Sequence, residues 1–308
     1  VRIPQNQKIY NLAFMGDMIF ERPLGKSRTP MALIPYVNGI AAKDYEKQTE
    51  QNNLKIGGDA KVSIGNGMNL DITVNPDFSN VEVDNVITNL TRFEVSLPEK
   101  RQFFIDNSDL FGSFGTEGDY NPFFSRRIGI AQNAQGETIE NDIVGGVRLS
   151  GKLNENWRLG LMNLQTEKDE SNEIASNNNT VLALQKKMFS RSNLSFIFVN
   201  RQTFEDYDFL NEADRYNRVV GLDYNLASAD NTWTGKFFYH KSFSHGVENR
   251  DGAGGINLKY NSRFLNLGLS GNFIGNNFRS DLGFVPRKDI LLFNPSAEVI
   301  FYPKKGNL

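Results

Sequence analysis

Glu94 and Glu99 are carboxylates of the type that glycoside hydrolysis uses as an acid and base pair. That reaction requires two carboxyl groups roughly 5–9 Å apart across the sugar. A separation of five positions in an irregular segment does not determine this distance. Hydrolysis of carbohydrate by Glu94 and Glu99 is therefore one hypothesis, and a non-enzymatic role is the interpretation that we favour.

Three further acids, Asp77, Glu82 and Asp84, lie just before this pair. Carboxylate oxygens are the ligands that calcium prefers, so calcium is the one cofactor that these residue types allow. The same region carries cations that could neutralise the acids or bind an anionic glycan or a lipopolysaccharide phosphate: Arg92, Lys100, Arg101, Arg126 and Arg127. Because buried charges need partners, we expect ion pairs that anchor this region and no metal site.

Nucleophilic catalysis has little support in the composition. The chain has 308 residues and no cysteine, which excludes disulfides and thiolate chemistry. Its histidines, His240 and His245, could act as bases for Ser242 or Ser244, but no oxyanion donor or orienting acid can be assigned. The formal net charge of −2 gives no reason to expect nucleic-acid binding.

Strict alternation of apolar and polar residues predicts the elements that position these side chains. Leu54, Ile56, Ala60 and Val62 share one parity, and polar or small residues occupy the other. Successive side chains of a strand point to opposite faces, so each such segment has one apolar face. We predict about twelve strands, near 31–42, 54–64, 69–75, 139–151, 157–166, 179–189, 194–203, 214–226, 232–242, 252–260, 263–273 and 289–302.

The connections between these strands are alternately short and long, which is typical of an outer-membrane β-barrel with tight turns on one side and long loops on the other. No apolar run is long enough for a membrane-spanning helix. We therefore predict an all-β, antiparallel transmembrane barrel in a bacterial outer membrane, in contact with lipid and lipopolysaccharide. A soluble β-sandwich is the alternative, since it produces the same alternation.

The connection at 76–138 is too long for an ordinary loop and contains both apolar and charged residues. We interpret it as a folded insertion that packs into the barrel as a plug. Residues 1–30 are expected to be a lead-in from a missing N-terminal region, because no secretory signal is present. Residues 31–308 would form the barrel, which is expected to continue beyond Leu308.

Several motifs resemble an uncharacterised barrel domain, domain-of-unknown-function family 5916. They are Thr73-Val-Asn-Pro-Asp-Phe-Ser-Asn-Val-Glu-Val-Asp84, Asn89-Leu-Thr-Arg-Phe-Glu94, Leu97-Pro-Glu-Lys-Arg-Gln-Phe-Phe104, Phe124-Ser-Arg-Arg-Ile-Gly129 and Gly283-Phe-Val-Pro-Arg287. The resemblance implies an outer-membrane barrel of Gram-negative, Bacteroidetes-type bacteria that usually follows a family-9-like carbohydrate-binding module. It implies no established reaction.

Together these patterns predict a non-enzymatic barrel. It would capture or pass a glycan, or serve as a subunit of a larger assembly with other outer-membrane or secretion proteins.

Overall fold

The computed structural model of the chain describes residues 19–22, 31–45, 49–76, 88, 90, 93–116 and 118–302. The predicted lead-in falls almost entirely outside these residues, as do Asp77, Glu82, Asp84 and Arg92. Among the described residues, the helices are all too short to cross a bilayer.

Strands make up most of the described chain. In order they are β1 (Met31–Asp44), β2 (Thr49–Ile64), β3 (Met68–Val74), β4 (Ile130–Gln132), β5 (Thr138–Glu140), β6 (Ile143–Lys152), β7 (Trp157–Thr166), β8 (Asn178–Met188), β9 (Ser192–Gln202), β10 (Tyr216–Ala227), β11 (Trp233–Ser244), β12 (Gly252–Asn261), β13 (Leu265–Ile274) and β14 (Ile290–Val299). Strands β4 and β5 form a hairpin of their own, and the other twelve form one sheet.

The twelve-stranded sheet is an antiparallel meander, in which each strand pairs with the sheet strands before and after it in the chain. This confirms the predicted all-β, antiparallel fold. Closure into a barrel is not seen. Within the described residues β1 pairs with β2 alone and β14 with β13 alone, so the sheet has two open edges.

The predicted strand at 139–151 is also interrupted. Residues 138–140 belong to β5, and Asn141 and Asp142 separate it from β6. The backbone N–H of Asn141 donates to the carbonyl of Gly129, so Asn141 is still bonded to the hairpin and not to the twelve-stranded sheet.

The two faces of the sheet differ as the alternation predicts. In β7, Met162 and Leu164 are fully buried, whereas Leu161, which directly precedes Met162, is exposed. The buried parity continues across neighbouring strands through Val181, Ile197 and Val219. These side chains belong to one apolar core, which is covered by residues of the connection between β3 and β4 together with Phe278 and Leu282 of the connection between β13 and β14.

That connection contains two single-turn helices, α1 (Gln102–Ile105) and α2 (Asp109–Gly112), and a 3-10 turn at Ser125–Arg127. We call residues 93–128 the inner segment; they are described except for residue 117. Its apolar side chains are buried against the sheet: Phe104, Leu110, Phe111, Phe114, Tyr120, Phe123 and Ile128. It is therefore a folded unit, as the sequence predicts for this connection.

Candidate functional site

The inner segment makes polar contacts with strands from both halves of the twelve-stranded sheet. Its Asp106 pairs with Lys61 of β2, and Asp109 accepts two hydrogen bonds from Arg158 of β7, at 2.6 and 3.0 Å. Further along, the backbone N–H of Gly115 donates to Asp223 of β10 at 3.0 Å. Since one segment reaches strands that are far apart in the sheet order, the sheet must curve around it.

Glycines on the concave face allow this close approach. A methyl group on Gly160 of β7 would stand 2.7 Å from the ring of Phe111. One on Gly221 of β10 would stand 1.8 Å from the ring of His240. Any larger residue at either position would displace the aromatic ring that packs there.

The deepest contact is a chain of hydrogen bonds between Tyr120, His240 and Asp223. The phenolic oxygen of Tyr120 lies 2.8 Å from His240 Nδ1, and His240 Nε2 lies 2.6 Å from Asp223 Oδ1. All three side chains are at most 1% exposed. Asp223 also accepts from the Lys236 ammonium, 3.1 Å away, and from the N–H of Gly115. We call these residues the latch, because they join the inner segment to β10 and β11.

The proton positions in the latch follow from its partners. A carboxylate can only accept, so His240 Nε2–H donates to Asp223, and Nδ1 of the neutral imidazole accepts from Tyr120. Burial, reinforced by the charge of Asp223, raises the pKa of Tyr120 well above its ordinary value. The phenol therefore stays protonated and donates to His240. Ser242, considered above as a nucleophile, instead donates to the carbonyl of Asp251.

A second polar cluster joins β3 and β6 to the inner segment. Arg148 is fully buried and donates to the carbonyl of Phe103 at 2.7 Å, while its guanidinium stands over the Phe111 ring. Asp71 lies 3.7 Å from it, at ion-pair distance. These charges neutralise one another inside the curved sheet, as buried charges require.

Glu99 forms the main polar junction within the inner segment. Its carboxylate accepts five hydrogen bonds, from the backbone N–H groups of Lys100 and Arg101, from the Arg101 guanidinium twice, and from the Ser125 hydroxyl. Burial opposes ionisation, but the bonds from Arg101 and Ser125 outweigh it and lower the pKa of Glu99. Glu99 is therefore held as a carboxylate and lacks the proton that a general acid must supply.

The other predicted residues occupy the same region. Glu94 pairs with Arg127, and Arg126 donates to the carbonyl of Pro98. Arg101 also donates to the carbonyls of Ser125 and Ile128. Arg101 and Arg126 therefore make these contacts within the inner segment, whereas Arg127 also donates to the carbonyl of Gly283 in the 275–288 connection, at 3.0 Å.

Lys100 lines a small cavity of about 410 Å³ beside this junction, together with Glu94, Glu99, Arg126 and Arg127. Among the described residues, no group of three or more acids and histidines could hold a metal ion. The predicted calcium ligands Asp77, Glu82 and Asp84 lie outside those residues, so calcium stays a prediction.

Two larger cavities flank the inner segment. One, of about 1060 Å³, lies between residues 112–119 and strands β11–β14. The other, of about 730 Å³, lies at the opposite end of β7, β8 and β9 from their short turns. We call the second one the loop-end cavity. It is lined by Asn141, Asn179, Arg201 and residues of the 275–288 connection.

A family model described as a domain of unknown function (DUF5916) matches residues 27–305, roughly nine-tenths of the chain. No curated protein matches the chain.

Proposed function

The chain belongs to the DUF5916 family, and we propose that it is an outer-membrane β-barrel protein whose interior is blocked by the inner segment and which captures or passes a glycan. A subunit role in a larger outer-membrane assembly is compatible with the same architecture. The observation that carries the proposal is an apolar band on the convex face of the sheet.

The band is continuous because the strand register aligns apolar residues from strand to strand. Leu161 pairs with Leu182, Leu182 with Phe198, and Phe198 with Val220. The same face continues through Leu70, Ile72, Leu149, Leu222, Tyr239, Ile256, Leu258, Leu267 and Leu269. An exposed apolar surface of this extent indicates contact with a membrane or another apolar partner.

Aromatic and cationic side chains border the band on both sides. Near the short turns, Lys186 stands over the ring of Trp157 at 5.1 Å, and Trp233 contacts Tyr260 with ring centroids 5.0 Å apart. At the other border, Arg218 stands over the ring of Tyr216. Aromatic girdles of this kind occur where a barrel meets the two membrane interfaces.

The strand lengths also suit a bilayer. Most strands of the sheet have 10 to 12 residues, close to the roughly 9–11 that a tilted transmembrane strand needs. In a membrane the open edges of β1 and β14 would have to be paired, because unpaired backbone groups in hydrocarbon cost several kcal/mol each.

Single-channel recording in planar bilayers tests this proposal. We expect the intact protein to be closed and a variant in which residues 93–128 are replaced by a short Gly-Ser linker to give a large steady conductance. Asn225→Ala is the matched control, since Asn225 lies on the concave face of β10 but bonds to Asn193 of β9. If the linker variant inserts, is folded by circular dichroism and stays silent, passage through the interior is refuted.

The hydrolase alternative gains no support from this geometry. Hydrolysis of a glycosidic bond by this pair would require one protonated and one ionised carboxyl group. The five hydrogen bonds to Glu99 hold it ionised, and Glu94 is paired with Arg127.

A further inference from the structure

The loop-end cavity has the size and composition of a binding site for a small polar molecule. Its volume of about 730 Å³ lies within the range of roughly 300–1,000 Å³ that is usual for ligand pockets. It opens at the concave end of β7–β9, below the hairpin of β4 and β5. Arg127 and Ile128 of the inner segment form part of its wall.

Buried amides line its wall. Asn141, Asn177 and Asn179 are 6%, 8% and 3% exposed. The Asn177 amide is fixed, because it donates to the carbonyl of Ala175 and accepts from the hydroxyl of Thr203. The Asn141 side chain has no hydrogen-bond partner within the part of the chain that the structure describes. It therefore offers a donor and an acceptor to whatever occupies the cavity.

The charges around the cavity are paired with each other. Arg201 binds Asp281 at 2.9 Å, and Arg279 binds Asp214 at 2.7 Å. Asp281 also accepts from Arg279, so the four groups form one alternating network. The exposed rim residues Glu173 and Lys288 carry opposite charges. Arg127 also lines the cavity and is paired with Glu94, so the wall presents many hydrogen-bonding groups whose charges are balanced by neighbouring ones.

One aromatic side chain adds an apolar surface. Phe209 lines the cavity and stacks on Tyr207, with ring centroids 5.1 Å apart and an angle of 25° between the rings. A ring held in this way can cover the apolar C–H face of a pyranose, while amides bind its hydroxyl groups. Hydroxyls both donate and accept, and so do the amides of asparagine.

We propose that the loop-end cavity binds an uncharged oligosaccharide, with Asn141 and Asn179 bonding its hydroxyls and Phe209 covering a sugar ring. This inference rests on the proposed function and specifies its ligand. It predicts a neutral glycan, whereas the arginine-rich sequence of the inner segment would suggest an anionic one.

Calorimetric titration of the detergent-purified protein with five tetrasaccharides tests the inference. Four are uncharged: maltotetraose, cellotetraose, xylotetraose and N-acetylchitotetraose. The fifth, tetragalacturonate, is anionic. We expect at least one uncharged sugar to bind, and Asn141→Ala and Phe209→Ala to weaken that binding at least tenfold. Asn257→Ala is the matched control, because Asn257 lines the other large cavity.

The inference is overturned if none of the four uncharged sugars binds, if tetragalacturonate binds best, or if Asn141→Ala binds as tightly as Asn257→Ala. Circular dichroism of each variant shows whether it is folded. Calorimetry and conductance test different statements. If no sugar binds but the variant without residues 93–128 conducts, the inference about the loop-end cavity fails and the proposal of a blocked barrel stands.

Discussion

Substitution of a charged residue in the middle of the apolar band tests whether the convex face contacts lipid or water. Leu222 lies near the centre of β10, is 51% exposed, and faces away from the inner segment between Phe196 and Tyr239. If this face were in water, Leu222→Arg would change the free energy of unfolding by no more than about 0.5 kcal/mol. In hydrocarbon, arginine near the midplane costs about 2–4 kcal/mol.

That cost corresponds to a decrease of about 30- to 700-fold in the folding equilibrium constant. It can be measured by guanidinium titration of protein folded into phosphatidylcholine vesicles, with tryptophan fluorescence as the signal. Leu194→Arg is the matched control. Leu194 lies on the same face, but it is paired with Lys186 near the short turns, where an arginine reaches the interface and costs about 0–1 kcal/mol.

A loss below about 0.5 kcal/mol for Leu222→Arg in vesicles, equal to that of Leu194→Arg, would refute the membrane assignment. The convex face would then be covered by another protein or exposed to water.

Three further predictions concern the inner segment. Gly160→Ala forces a methyl group against Phe111 and should cost about 1–3 kcal/mol of stability in the same titration. Tyr120→Phe leaves His240 Nδ1 without its donor and should cost about 1–3 kcal/mol, whereas an unchanged midpoint would show that the latch contributes nothing. Glu99 has a lowered pKa, so its stabilising effect is present above its ordinary pKa of 4.5 and is lost as the pH falls through the folded value. We therefore expect hydrogen exchange of residues 93–128, corrected for intrinsic rates, to accelerate in the parent protein as the pH falls below 4.5. The Glu99→Gln variant should already exchange faster at neutral pH and should show no such acceleration.

The sequence predicts the sheet well because strand faces are a local property. Alternation such as that of Leu54, Ile56 and Ala60 places each residue on a face without reference to the rest of the chain. The error at 139–151 is of the same local kind. Glu140, Asn141 and Asp142 interrupt the alternation with three consecutive polar residues, and the bond from Asn141 to the carbonyl of Gly129 keeps this stretch with the hairpin of β4 and β5.

The contacts between the inner segment and the sheet could not be predicted in the same way, because the residues that make them are far apart in sequence. Tyr120 and His240 are separated by 120 positions. The pairing of charges also depends on where the chain folds back. Arg101 pairs with Glu99, only two residues away, and is therefore not the partner of a strand acid. Asp71 is instead paired with Arg148, and Asp223 with Lys236 and the backbone N–H of Gly115.

The packing of the inner segment limits how the proposed barrel could open. Withdrawing the whole segment would expose its seven buried apolar side chains, each worth about 1.5–3 kcal/mol, or about 10–20 kcal/mol together. This matches or exceeds the roughly 5–15 kcal/mol that holds most domains folded, so thermal motion alone would not remove the segment. A passage that opens at rest would instead follow the cavity between residues 112–119 and β11–β14, where space already exists. Bulky residues at Asn257 and Ser270, which line that cavity, should then abolish any residual conductance while leaving the latch intact.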